Sequence, residues 1–202
     1  MLAKKRCFAV LVATSVCVCG CSKSSNNTGN KTAPTGHSRV SAAAPDEIGK
    51  SAPPFHFADL QGKPITSSSL RGKVVLLDLW ASWCAPCIAA MPDIEQLQQK
   101  LANNGLVVLG VTLDDDDAKL RSFLARRPAN YSVVKPDAAF NLDYGTLLHL
   151  KGNHLVGSDK LISANLPSWI LIDRTGRVAA IYVSSSKEKQ MLQDAEALAK
   201  RA

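Results

Sequence analysis

Lys73-Val-Val-Leu-Leu-Asp-Leu-Trp-Ala-Ser-Trp-Cys-Ala-Pro-Cys87 joins a nearly continuous apolar run to a Cys-x-x-Cys pair. An apolar run without alternation predicts a strand buried on both faces, over Lys73–Trp80. In Pro86–Leu101, the residues Cys87, Met91, Ile94, Leu97 and Leu101 recur at spacings of four, three, three and four, which predicts a helix with one apolar face. Pro92 falls inside that pattern and is expected to kink it. The end of a buried strand therefore leads into the start of a helix, with two cysteines at the junction.

The junction dictates chemistry. The first-turn amides of a helix lack intrahelical partners and carry partial positive charge, which favours a thiolate placed there. Cys84 is expected to be the readily ionised thiol that attacks, and Cys87, one turn further in, the resolving thiol. Pro86 suits the first turn, where its missing amide costs nothing. Asp78, flanked by Leu76, Leu77, Leu79 and Trp80, is a desolvated carboxylate whose pKa should rise, making it a candidate acceptor for the Cys87 proton. A strand-end aspartate bonded to backbone is the plainer alternative. Half of a zinc site has the same cysteine spacing, but His149 and His154 fit no compact zinc module with this pair.

The other four cysteines, Cys7, Cys17, Cys19 and Cys21, crowd into the first 21 residues. Lys4-Lys5-Arg6 precedes an uncharged apolar stretch over Cys7–Cys19, shorter than the roughly 20 residues of a spanning helix and suited to an export signal. Val18-Cys19-Gly20-Cys21 resembles the lipobox of bacterial lipoproteins, which implies cleavage before Cys21 and a lipid on Cys21. An ordinary signal cut nearby, or an uncleaved anchor, are the other readings. Export favours disulfides. A bond between Cys84 and Cys87 closes so small a loop that it adds little stability, so redox chemistry is the better reason for the pair.

The net charge of +7 also belongs to this end. Six Lys and Arg residues and no acids precede residue 45, and the remainder is nearly balanced. With only 5% aromatic residues, the folded part gives no case for nucleic-acid binding. Residues 22–49 read as a flexible tether rich in Ser, Asn, Thr, Gly and Ala, and 50–202 as the folded domain.

Within that domain, Phe55–Leu60 and Lys63–Ser67 predict a small hairpin. Leu106–Leu113 and Tyr131–Val134 predict strands, and Ala118–Arg127 a helix with Leu120, Phe123 and Leu124 inward. Asp114-Asp115-Asp116-Asp117 lacks the glycine and ligand spacing of a calcium loop and reads as a solvated helix start. Phe140–Asn165 gives no clear period. Trp169–Ile172 and Arg177–Val183, around Asp173-Arg174-Thr175-Gly176, form a second hairpin, and Lys187–Arg201 a closing helix with Leu192, Ala195, Leu198 and Ala199 inward. The expected class is α/β with a mixed central sheet flanked by helices and an added N-terminal β-hairpin.

Gly72–Cys87, Met91-Pro92, Leu166-Pro167 before Trp-Ile-Leu-Ile-Asp173, the Asp59-Leu-Gln-Gly-Lys63 turn and Gly176 together resemble thioredoxin-fold, membrane-anchored extracytoplasmic thiol–disulfide oxidoreductases of the TlpA/ResA type. The resemblance covers residues 50–202. It implies a cis Leu166-Pro167 bond beside the cysteines, and substrate contacts by Trp83, Leu166 and Pro167. It further implies that Asp78 is the buried acid, that protein disulfides are the substrates, and that electrons come from a membrane thiol reductase. No cofactor and no resident metal are expected. Reduction is the expected direction, with oxidation of substrates as an alternative. A second reading is a copper carrier using Cys84, Cys87 and a histidine near 149–154. Two departures stand out. Ala90 occupies a position where many members related to cytochrome maturation carry glutamate, and 145–165 is long enough to be an insertion.

Overall fold

The computed structural model describes residues 47–148 and 165–201. The export signal, Cys21, the tether up to residue 46, His149, His154 and the rest of 149–164 lie outside the described residues.

The strands are β1 (His56–Ala58), β2 (Pro64–Thr66), β3 (Val74–Trp80), β4 (Leu106–Thr112), β5 (Ser132–Val134), β6 (Ser168–Ile172) and β7 (Val178–Val183). The helices are α1 (Ala85–Leu101), α2 (Asp117–Arg126), α3 (Ala138–Leu147) and α4 (Glu188–Ala199). β1 and β2 form the expected small antiparallel hairpin. The other five strands form one mixed sheet in the order β5-β4-β3-β6-β7. β4 runs parallel to β3 and β5 parallel to β4, whereas β6 and β7 are antiparallel neighbours. Parallel β3 and β4 require a crossover, and α1 supplies it.

β3 is central, and all seven of its residues are buried, as its unbroken apolar composition requires. Its side chains alternate between two cores. Val74, Leu76 and Trp80 pack with Cys87, Met91, Ile94, Leu97 and Leu101 of α1, Leu120 of α2, and Met191, Ala195 and Ala199 of α4. Val75, Leu77 and Leu79 pack with Phe55, Phe57 and Phe140, Tyr144 and Leu147 of α3. Phe140 stacks on Tyr144 at 4.2 Å between ring centres and meets Phe57 edge-on at 5.0 Å, tying α3 to the hairpin. Tyr144 donates its hydroxyl to the Pro53 carbonyl at 2.8 Å.

The two hairpin turns share a design. Asp59 accepts the amides of Gln61 and Lys63 at 2.9 and 2.8 Å, and Gly62 takes φ +82°. Asp173 accepts the amides of Thr175 and Arg177, both at 2.9 Å, and Gly176 takes φ +79°. In each, the aspartate organises the turn and the glycine supplies its left-handed residue.

Gly49, at the end of the segment read as tether, donates its amide to the Val178 carbonyl at 2.8 Å. Part of the stretch that lacked a clear period, Ala138–Leu147, is helical. Asp137 caps it by accepting the Phe140 amide at 2.7 Å. The acidic run also departs from expectation. Asp116 caps α2 by accepting the amides of Ala118 and Lys119 at 2.9 and 3.1 Å, and Asp115 and Asp117 are exposed, but Asp114 is buried. Solvation therefore describes only part of that run.

Candidate active site

β3 ends at Trp80, and Ala81-Ser82-Trp83 carries the chain to the first turn of α1. The Cys84 amide donates to the Ala81 carbonyl at 3.0 Å, closing this connection as a tight turn. Cys84 is the N-cap of α1, and its sulfur accepts the Cys87 amide at 3.3 Å. The sulfur thus takes the place of an oxygen cap, facing amides with no intrahelical acceptor. Pro86 lies within the first turn. Cys84 and Cys87 are joined as a disulfide with Cα atoms 5.3 Å apart. Cys87 is 2% exposed and Cys84 5%, while Trp83 beside them is 60% exposed.

Asp78 shares the face of β3 that carries Leu76 and Trp80, the face that α1 covers. It is buried, and burial pushes its carboxyl up to about 7. The Trp169 indole and the Tyr131 hydroxyl pull the other way, while Glu188 adds a smaller upward push. Tyr131 donates its hydroxyl to Asp78 Oδ2 at 3.3 Å. Trp169 faces Asp78 across the β3–β6 pair, although its indole N–H makes no hydrogen bond of ordinary geometry among the described residues. The aspartate's partner is therefore a side chain from just before β5 rather than local backbone.

The Leu166-Pro167 bond is cis. Ser168 pairs with Leu79, so Pro167 lies at the end of β3 from which the chain proceeds to Cys84. Pro167 is buried and Leu166 half-buried, packed against both cores. Among the described residues no group of three His, Cys, Asp or Glu side chains could hold a metal ion.

Two residues of this region were not singled out from the sequence. Asp114 receives the Ser82 amide on Oδ2 at 2.9 Å and the Ser82 hydroxyl on Oδ1 at 2.6 Å, and the Thr112 hydroxyl donates to it at 2.7 Å. It anchors the turn that presents Cys84. Tyr131 reaches Asp78 from beyond β4. A buried phenol needs a partner for its hydroxyl, which is the one sequence signal that pointed toward it.

A disulfide-linked cysteine pair at the start of the helix that covers a buried acid, on a mixed sheet with a cis-proline at the same end, defines a thiol–disulfide oxidoreductase of thioredoxin-like fold. The sequence matches the Redoxin family over residues 47–199, and the chain belongs to that family. It is 30% identical over 145 residues to the thiol-disulfide oxidoreductase ResA of Bacillus cereus, covering 72% of this chain and 75% of the relative. The crystal structure of a Chlorobium tepidum protein assigned as thiol:disulfide interchange protein DsbE matches at 30% identity with a TM-score of 0.58, over 75% of this chain and 97% of that one. A Bacteroides thetaiotaomicron protein assigned as a protein disulfide isomerase matches at 26% identity with a TM-score of 0.62, over 80% and 96%.

Proposed function

We propose that this oxidoreductase is lipid-anchored through Cys21, works outside the cytoplasm and reduces disulfides of exported proteins. The observation that carries the chemistry is Cys84 at the N-cap of α1, bonded to Cys87 on the face that covers Asp78. In the reduced protein, the Cys84 thiolate attacks one sulfur of a substrate disulfide. A Cys84–substrate disulfide forms and the other substrate sulfur leaves as thiolate. Cys87 then gives its proton to Asp78 and attacks Cys84. The second substrate sulfur leaves, and two electrons have passed from the dithiol to the substrate. The Cys84–Cys87 disulfide is the end state of this half-reaction. A membrane dithiol reductase returns the two electrons by the same exchange in reverse. The exposed Trp83 beside Cys84, and a cis-proline at the same end of β3, support a substrate-docking role for Trp83, Leu166 and Pro167.

The test is a trap in the native cell. Cys87→Ala should accumulate mixed disulfides through Cys84, visible as high-mass species on non-reducing gels that collapse with reductant. Cys84→Ser should abolish both trapping and turnover. A double-serine variant that retained turnover would overturn the reading. Cys21→Ala should release the protein from the membrane fraction.

A further inference from the structure

Gly110 is the β4 residue in register with Asp78. Glycine weakens a strand interior and often marks a place where another group comes close. Its φ is not in the left-handed region, so backbone conformation does not call for glycine there. Space does. A Cβ on Gly110 would lie 2.8 Å from Cε2 of Tyr131 and 3.0 Å from Nε1 of Trp80. The phenol ring crosses the sheet over the missing side chain, and its hydroxyl ends 3.3 Å from the Asp78 carboxylate.

The chain that leads to the ring is also held. Arg127 donates to both carboxylate oxygens of Glu95, at 2.7 and 3.3 Å, and Asn130 donates to the Glu95 carbonyl at 3.0 Å. Glu95 belongs to α1, the helix that begins with the cysteines. The segment leading into Tyr131 is thus fastened to that helix, while Gly110 opens the path to Asp78.

We propose that Gly110 and Tyr131 are positioning residues for Asp78, the glycine making room for a phenol whose hydroxyl stabilises the carboxylate and so sets the pH at which it becomes a base. A donated hydrogen bond favours the charged form of an acid and opposes the effect of burial. Among the described residues, the other charged or titratable groups that act on this cluster are Glu188 from α4, Glu95 from α1 and Arg127 after α2, joined by Cys84 and Cys87 once their disulfide is reduced. Tyr131→Phe alters none of these groups and removes only the phenol hydroxyl. The consequence for catalysis rests on the reading that Asp78 takes the Cys87 proton.

The experiment uses Tyr131→Phe in the full chain, because phenylalanine fills the same space without the hydroxyl. The Asp78 carboxyl is titrated by carbon-13 NMR, with Asp78→Asn to assign its signal. Its midpoint should rise by about one pH unit, a tenfold change in the protonation equilibrium. The second readout starts from a mixed disulfide between Cys84 and 5-thio-2-nitrobenzoate, from which Cys87 displaces the coloured thiolate. The acid limb of that release should move upward by the same amount, with its high-pH plateau unchanged. Gly110→Ala, if it folds, should move the carboxyl in the same direction. An unmoved Asp78 midpoint in Tyr131→Phe overturns the proposal. A moved midpoint with an unmoved release profile supports the positioning role and removes Asp78 as the base.

Discussion

Ser82 and Asp114, 32 residues apart, are joined twice, the serine amide and hydroxyl donating to the two oxygens of one buried carboxylate. This bracket ties the turn before Cys84 to the end of β4. Asp114→Asn should cost about 2 kcal/mol, because one carboxylate acceptor becomes a donor facing a donor, and Ser82→Ala about 1 kcal/mol. Both should slow attack by Cys84 several-fold while leaving the Asp78 titration in place. Urea midpoints and stopped-flow reaction with a protein disulfide measure the two effects. Unchanged rates in both variants would show the bracket to be purely structural.

Asp78 should make stability depend on pH in an unusual direction for a carboxyl. Its value rises from 3.8 to about 7 on folding, so between those limits the native state holds a proton that the unfolded chain has lost. The associated stability is complete below pH 4 and disappears as the pH climbs through 7. The shift corresponds to roughly 4 kcal/mol. Asp78→Asn should therefore be more stable than the parent at pH 8 and about equal at pH 4. Denaturant titrations of the oxidised proteins across this range are decisive, and a difference independent of pH would contradict the buried-acid account.

Trp83 is exposed and bears little on the core. Trp83→Ala should change stability by no more than about 0.5 kcal/mol. If the indole is a docking surface, KM for a protein disulfide should rise several-fold while the rate with a small aromatic disulfide barely changes. Equal losses for both substrates would place its effect on the sulfur rather than on docking.

Arg174 closes the end of the domain remote from the sulfurs. Its guanidinium donates to the carbonyls of Gly72, Asn104 and Ala199 at 2.9, 2.8 and 3.0 Å, joining the approach to β3, the approach to β4 and the last turn of α4. Arg174→Ala should lower stability by about 2 kcal/mol with kcat/KM unchanged at a temperature where the variant stays folded. A loss of activity in the fully folded variant would argue against this separation.

Most of this architecture was legible because each major element carried its own local signal. β3 announced itself by an unbroken apolar run, and α1 by Cys87, Met91, Ile94, Leu97 and Leu101, all of which are buried. The turn aspartates and glycines marked both hairpins. What escaped depended on contacts between distant residues. Asp114 sits in a row of four like residues, and its burial with bonds from Ser82 and Thr112 sets it apart. Met191 was overlooked on α4, yet it is fully buried beside Ala195 and Ala199. Tyr131 and Gly110 acquire meaning only once β3, β4 and β5 lie side by side. α3 was hard to read because its outer face carries the exposed Leu142, which blurs the period.

The seven-residue strand that leads to the sulfurs has neighbours on both edges and a covered surface above and below. Its amides can exchange hydrogen with deuterium only when the whole domain opens, so their protection measures global stability. Measured once with the sulfurs joined and once with them free, that protection closes a thermodynamic cycle with the unfolded peptide. A slower clock in the joined state would mark a donor of electrons, and a faster one an acceptor, read from backbone amides without reference to any partner.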